Sequence, residues 1–506
     1  MFVSFRGMAL GLAASLLCAA ATAQDVASFE KRITVKQLKN GMTVVVMERP
    51  EAPVFSFFTL VDAGSSQDPK GETGLAHMFE HMAFKGTPEI GSKDWPGEKA
   101  ALAKEETAYQ ALDAERMKRI DQNPQKIAQL EKAFEDAQKQ AQQYVVPNQF
   151  DRIVDENGGV GMNASTNDDE TVYFYSFPSN RTELWAYLEA SRYAHPVFRE
   201  FYKERDVVVE ERRMRTDSNP IGRLLEQYLA MAYTAHPYQN PTVGWASDVT
   251  GVSMTAAENF FKTYYIPANM TVAVVGDVKA AEIMPTIEKY FGTIPTGPKP
   301  EDLRTVEPPQ KAERRVTLTE QSQPFYIEGY HRPDYRDKDD AVYDAISDIM
   351  SNGRVSRLYR TLVRDKKIAV AAAGFSGLPG QKYPGLFSFY AVPAAGHTNQ
   401  ECADVMRAEI ERLKTQDVTD EELQMVQTRA KADLLRGLAD NEGLAHQLAV
   451  YQLRYGNWRE LFQQLDKIDK VTKADIRRVA NATFVASNRT VAEIVNQKQT
   501  AAKGSK

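Results

Sequence analysis

A proline-rich stretch near the middle of the chain, from Pro295 to Pro309, constrains the fold most, because elements of the same kinds recur in the same loose order on either side of it. Proline fixes φ and offers no backbone donor, so residues 295–311 read as an interdomain linker rather than a strand or helix. Ahead of it, residues 33–38 and 42–47 alternate like paired strands around Lys39-Asn40-Gly41, and Asn-Gly between apolar runs predicts a hairpin. Further strands are expected at 54–61, 171–177 and 269–276, with helical spacing at 71–84, 183–194, 201–215 and 279–291. Behind the linker come strands at 315–319, 325–330, 369–374 and 386–392, and helices at 339–350, 400–415 and 420–438. The two halves read as tandem copies of one α+β unit, each a mainly antiparallel sheet backed by helices, over 24–294 and 312–497.

The first copy is interrupted. Residues 95–144 are rich in Ala, Glu, Lys and Gln, nearly free of β-branched residues, and broken once at Asp121-Gln122-Asn123-Pro124. This predicts an inserted hairpin of two long amphipathic helices, about 95–146. A solvated appendage and a capping or docking element fit it equally.

With 506 residues, 43% of them hydrophobic, the chain can bury a sizeable core. A net charge of −6 with both signs well mixed gives no reason to expect a nucleic-acid partner. Arg6, the apolar run from Met8 to Ala21 and the small-residue site Ala21-Thr22-Ala23 read as a signal peptide over 1–23, with a mature chain starting at Gln24 and exported to the periplasm. The apolar run is too short and Ala-rich for a membrane span, and Leu17 argues against a lipid-anchored Cys18. Once Cys18 leaves, Cys402 stands alone, so no internal disulfide is expected and Cys402 reads as a buried, inert helix residue. Residues 498–506 read as a disordered tail.

The chemistry-bearing motif lies in the 71–84 helix. His77 and His81 are four apart, on one helical face, where two imidazoles can reach one metal ion. Glu80 lies along the rim of that face, able to hydrogen-bond a water at the metal without being a ligand. Isolated histidines are usually surface or satisfied core groups. Here, only seven occur in the chain, and the rest of the helix is apolar (Leu75, Ala76, Met78, Phe79, Met82), so the polar trio would be costly to bury without a partner. A catalytic zinc needs a third protein ligand and an open position. The 201–215 helix offers Glu204 and Glu211, seven apart on one face, whereas Glu210 points elsewhere; spacing alone does not choose between Glu204 and Glu211.

At these residues the chain resembles the M16 metallopeptidases, the pitrilysin and insulysin family with its mitochondrial processing peptidases. Gly74-Leu-Ala-His77-Met-Phe-Glu80-His81-Met-Ala-Phe-Lys-Gly-Thr87 is similar to the family's inverted zinc motif. Asn163-Ala164-Ser165-Thr166 and Thr171-Val172-Tyr173 resemble its substrate-side strands, and Glu204 to Glu211 its second motif. His236-Pro237-Tyr238 and the stretch from Tyr265 to Asp277 resemble further landmarks, so the likeness covers nearly the whole mature chain, at a length that suggests the two-domain B subfamily. The resemblance implies that His77, His81 and Glu211 hold Zn2+, that Glu80 moves the water's proton, and that Glu204 orients a ligand histidine. It implies that Asn163, Ala164 and Thr166 meet an extended substrate by strand addition, and that unfolded peptides are cut inside an enclosed chamber.

The chain departs from the family pattern at one point. Single-chain relatives supply an Arg/Tyr pair from the C-terminal half, where the tyrosine stabilises the oxyanion. Here Arg364 is the nearest match to the arginine, and the tyrosine position holds Val370, which cannot donate a hydrogen bond. The expectation is a zinc-bearing subunit that works with a second M16-like chain or a second protomer. The rival expectations are a non-catalytic structural or peptide-binding relative and a chaperone-like periplasmic chamber.

Overall fold

The computed structural model describes residues 29–496. The expected signal peptide with Cys18, and the 498–506 tail, lie outside the described residues. The first sheet contains β1 (Ile33–Gln37), β2 (Thr43–Glu48), β3 (Val54–Val61), β4 (Val160–Thr166), β5 (Thr171–Pro178) and β6 (Met270–Gly276), in the order β1-β2-β6-β3-β5-β4. The second contains β7 (Arg314–Glu320), β8 (Phe325–His331), β9 (Ala369–Leu378), β10 (Leu386–Pro393) and β11 (Arg489–Asn496), in the order β7-β11-β8-β10-β9. In each sheet one pair is parallel, β2 with β6 and β7 with β11, and the others are antiparallel. Without β1 the two orders coincide strand for strand in sequence order, so the fold is α+β with two tandem copies of one unit.

The helices of the first half are α1 (Leu75–Met82), α2 (Trp95–Arg116), α3 (Pro124–Gln142), α4 (Gln149–Glu156), α5 (Thr182–Ala194), α6 (Phe201–Arg212), α7 (Pro220–Ala232), α8 (Ala246–Gly251), α9 (Met254–Tyr264) and α10 (Ala280–Phe291). Those of the second are α11 (Asp340–Ser351), α12 (Asn399–Thr415), α13 (Asp420–Gly437), α14 (Asn441–Tyr455), α15 (Glu460–Asp469) and α16 (Lys473–Thr483). Helices α2 and α3 form the hairpin within the first half; Asn123 caps α3 by accepting the Gln125 and Lys126 amides, and Pro124 takes the position where a missing amide costs nothing. The α6 helix stops at Arg212, three residues short of the expected end, and runs into a wide π turn over Arg213–Asp217.

The inner strands β2, β3 and β6 of the first sheet are apolar on both faces because both faces are covered. Alternate residues split between them. Val44, Val46, Phe57, Val272 and Val274 enter the core of their own half, whereas Val45, Met47, Phe58, Leu60, Ala273 and Val275 pack under Leu444, Ala445, Leu448 and Ala449 of α14, from the other half. The second sheet is treated in kind: Phe325, Ile327, Leu386, Ala492 and Ile494 lie under Leu224, Tyr228 and Ala232 of α7, from the first half. At Gly329 a Cβ would run into the Tyr228 hydroxyl, so glycine is what lets that ring lie flat on β8. Each half therefore lends the other a helix. The 295–311 stretch contains no helix or strand, yet it is fastened: the Glu307 carboxylate accepts the amides of Thr234, Ala235 and His236 at 2.9–3.0 Å. No described helix is long and apolar enough to cross a membrane.

Candidate active site

The apolar side of α1 sets its orientation. Phe79 packs against Phe198, Phe261 and Tyr265 with ring centroids 5.8, 4.8 and 4.1 Å away. With that side fixed in the core, His77, Glu80 and His81 face a cleft of about 1080 Å³. The helix start is fixed as well. Gly74 has φ 95°, a left-handed conformation that favours glycine, and a Cβ there would sit 2.9 Å from the Val243 carbonyl. The buried Asp68 carboxylate accepts the Gly74 and Ala76 amides at 2.7 and 2.9 Å, satisfying two of the free donors at the helix end. Burial pushes its pKa up to about 8 against those two bonds.

Helix α6 lies across α1 and turns Glu204 and Glu211 toward it. Glu211 reaches both imidazoles: Oε1 is 3.5 Å from His77 Nε2, and Oε2 is 3.4 Å from His81 Nε2. The two rings stand almost perpendicular, centroids 5.0 Å apart. Glu204 Oε2 lies 3.7 Å from His81 Nδ1, and its other oxygen takes the Lys85 ammonium at 2.5 Å. Glu210 pairs with Arg213 at 2.7 Å and faces solvent. The carboxyl of Glu211 is held down to about 2, first by its hydrogen bond with His77 and then, against burial, by the charges of His77, Arg215 and His81. For Glu204 burial pulls upward, but His81 and Lys85 outweigh it and hold the group at about 2. Burial favours neutral His81, yet Glu204, Glu80 and Glu211 together raise its pKa.

This donor set fits a zinc ion. Nitrogen and oxygen ligands at about 2.0–2.1 Å and a tetrahedral angle sit about 3.3–3.4 Å apart. The two His–Glu211 gaps, 3.5 Å to one carboxylate oxygen and 3.4 Å to the other, are close to that length, and one ligand atom from each of His77, His81 and Glu211 falls within 4.8 Å of the others. Among the described residues, this is the one group of three or more such side chains so arranged. His77 Nδ1 is buried with no hydrogen-bond partner among them, so only its Nε2 side has a partner in the cleft.

Along the cleft runs β4, the outermost strand of its sheet, hydrogen-bonded within the described residues to β5 alone. Asn163, Ala164 and Thr166 all line the cleft with His77, Glu80, His81 and Glu211. The Asn163 Oδ1 accepts the Ala164 amide at 2.9 Å, and the Thr166 and Thr171 hydroxyls lie 3.3 Å apart. The structure thus gathers all eight residues singled out in the sequence around one cleft, with Glu204 behind His81. It does not bring Arg364 or Val370 there: among the described residues, the cleft lining runs from His77 to Val243. Arg364 is exposed and paired with Asp365, and Val370 is 57% exposed at the start of β9.

Sequence reasoning missed Asp68, Lys85 and Arg199. The buried Arg199 guanidinium binds the Glu98 carboxylate of α2 and the carbonyls of Thr87 and Ile90, tying the hairpin to the end of the metal-site motif. An arginine in Phe198-Arg199-Glu200 gives no local sign of that role, since its partners are about a hundred residues away. Asp68 gave no standard capping signal either, because it lies six residues ahead of Gly74 and reaches the helix start only through the fold of the intervening turn.

Residues 43–116 match the family model described as insulinase (peptidase family M16), and residues 251–430 match the one described as the peptidase M16 inactive domain. The zinc protease PqqE of Helicobacter pylori is 27% identical over 94% of this chain and 95% of its own. The crystal structure of a protease from the same organism superposes with a TM-score of 0.75 at 25% identity, covering 92% of this chain and 99% of the other. The periplasmic protease PqqL of Escherichia coli shares the fold at a TM-score of 0.68 and 18% identity, 93% of this chain covering 48% of it. The site is a His-x-x-Glu-His arrangement in which His77, His81 and Glu211 are placed close enough to hold a metal ion, on an α+β scaffold with a repeated unit. The chain belongs to peptidase family M16.

Proposed function

We propose that the chain is a zinc-dependent endopeptidase acting on unfolded peptides or small polypeptides inside an enclosed chamber. The observation that carries this reading is the spacing of His77, His81 and Glu211, with Glu80 beside them in the same cleft. Bound zinc would supply Lewis-acid chemistry, polarising the scissile carbonyl and the attacking water. His77, His81 and Glu211 would hold the ion, and Glu204, beside His81 Nδ1, orients that ring. Glu80 takes the proton of the attacking water and delivers it to the leaving amine. The free edge of β4 at Asn163, Ala164 and Thr166 aligns the extended substrate by backbone pairing, so specificity is broad in side chains.

The chain is the zinc-bearing part of a two-part enzyme. Val370 offers no donor to an oxyanion, and the cleft lining comes from the first half alone, so a second M16-like chain or a second protomer supplies the Arg/Tyr function. The segment 1–23 directs export to the periplasm, and the domains are 24–294 and 312–497 around a 295–311 linker. The exposed Val370 also favours a second reading, a non-catalytic peptide-binding or structural subunit.

The test is cleavage of a quenched unstructured peptide by the wild type and by Glu80→Gln, alone and with any copurifying M16-like chain, with bound zinc assayed in both. Zinc in both proteins and turnover in the wild type only is expected. Equal turnover would remove Glu80 from its role, and a zinc-free, inactive wild type would favour the second reading.

A further inference from the structure

Beside the metal-site cleft lies a second cavity of about 260 Å³, and Glu80, His81, Asn163 and Ala164 line both. Its far wall belongs to the segment that returns from the inserted hairpin, Val145 to Gln149, together with Asp151 on the first turn of α4. That wall is anchored. Ser92 and Val145 form a β-bridge, the Val146 amide donates to Gly91 O at 2.9 Å, and the Gly91 amide donates to Gln149 Oε1 at 2.5 Å. At the other end the Gln142 amide reaches Glu200 at 3.1 Å.

The charges around the cavity do not cancel. Arg199 is saturated by Glu98 and three backbone carbonyls. Lys85 is shared between Glu204 at 2.5 Å and Glu200 at 3.5 Å. Asp151 has no ion-pair partner of its own among the described residues: its Oδ1 is buried with no hydrogen-bond partner, and Lys85, the cation whose charge acts on it, is already held by Glu204 and Glu200. A carboxylate in a partly dry cavity costs free energy unless a partner comes to it.

We propose that this cavity is a substrate subsite for a basic side chain, lysine or arginine, next to the scissile bond, with Asp151 as its counter-charge and the hairpin's return segment as its wall. The inference rests on the peptidase reading above. The hairpin thereby acts as a specificity element, and the role left open in the sequence is filled by its base rather than its tip. A peptide extended along β4 passes Asn163 and Ala164, which border both the cleft and the cavity, so one of its side chains is directed into the cavity.

The test uses the full chain loaded with zinc, and peptides that differ only in carrying Lys, Arg, Gln or Glu at each position flanking the cleavage site. Two readouts run side by side: kcat/KM in the wild type, and binding of the same labelled peptides to the Glu80→Gln chain. One position should favour Lys or Arg over Gln by about tenfold, the worth of one hydrogen bond to a charged group. Asp151→Asn should collapse that ratio toward one, and Asp151→Glu should restore most of it. Turnover or binding with no basic preference, a preference for Glu, or a ratio unmoved by Asp151→Asn would overturn the inference while leaving the peptidase reading intact. Basic-selective binding without turnover, even with the copurifying M16-like chain added, would uphold the subsite and count against the peptidase reading. A chain that binds none of the peptides would overturn the subsite.

Discussion

The two halves place the same pair of helices in the same position and give them opposite chemistry. In the first half, α1 follows β3 and meets α6, which follows β5; in the second, α11 follows β8 and meets α13, which follows β10. On α1 the polar row is His77, Glu80 and His81, and α6 answers with Glu211. On α11 the row is Asp340, Asp344 and Asp348, and α13 answers with Arg429, whose guanidinium lies 2.7 Å from Asp348. Asp340 is taken by Arg332 at 2.5 Å. An acid row whose two outer members are paired with arginines makes a strut, whereas imidazoles facing a carboxylate are placed to hold a metal ion. The backbone is common to both, so the chemistry resides in four or five side chains.

Substitutions in the first pair should separate it most sharply from the second. Glu211→Gln should lose stoichiometric zinc and lower peptide turnover by about a thousandfold or more, read by metal analysis and kcat/KM. Asp348→Ala, which breaks the second pair, should leave zinc content and kcat/KM as they are and lower stability by about 1 kcal/mol in denaturant unfolding. If the second substitution abolished zinc binding, the contrast between the pairs would fail.

Next in size is the cover each half gives the other. Leu448→Ala on α14 removes a buried side chain from the first sheet's outer face and should cost about 2–5 kcal/mol. Both sheets should still unfold in one transition; two separated transitions would show that the lent helices do not couple the halves.

Glu204→Gln keeps the ligand set but loosens His81, so zinc affinity should fall about 10–100-fold with the fold unchanged, as measured by competition with a chelator.

The acid row of the second half also responds to pH. Asp344 lines an open cavity of about 510 Å³, and the protein packed around it, with Asp340 beside it, raises its pKa from 3.8 to about 7. The folded state then holds that proton more tightly than the unfolded chain, so this group's contribution to stability declines as pH rises from about 4 to about 7. Asp344→Asn should flatten that part of the stability profile.

The smallest effect concerns Cys402. It is fully buried, and burial pushes its thiol up to about 11, so the folded protein should resist alkylation at pH 8 and the denatured protein should not.

What the sequence made legible was local. Residues 54–61 alternate faces and carry no breaker, and they form β3 with the bounds expected. His77 and His81 share a face because four residues make about one turn, and no tertiary information is needed to see it. The choice between Glu204 and Glu211 was not legible, because seven residues return to the same face for both and only the crossing of α6 over α1 separates them. The exchange of α7 and α14 was hidden for a similar reason: an apolar stripe shows that a helix is buried, but not beneath which sheet. The end of α6 was misjudged because Arg213 to Arg215 have good helix propensity, while the π turn there depends on packing against α7.

The lent helices change how the proline-rich stretch should be understood. A segment of that composition between two similar units looks like a hinge, but a hinge works only if the parts it joins can swing away from each other. Here swinging would strip Leu444 and Leu448 from one sheet and Leu224 and Tyr228 from the other, and would pull Glu307 off its three amides. Mechanically the two halves are one body, tied through both sheets. On the peptidase reading proposed above, a gate that admits a long polypeptide to the cleft would therefore lie outside this body and not across the proline-rich stretch.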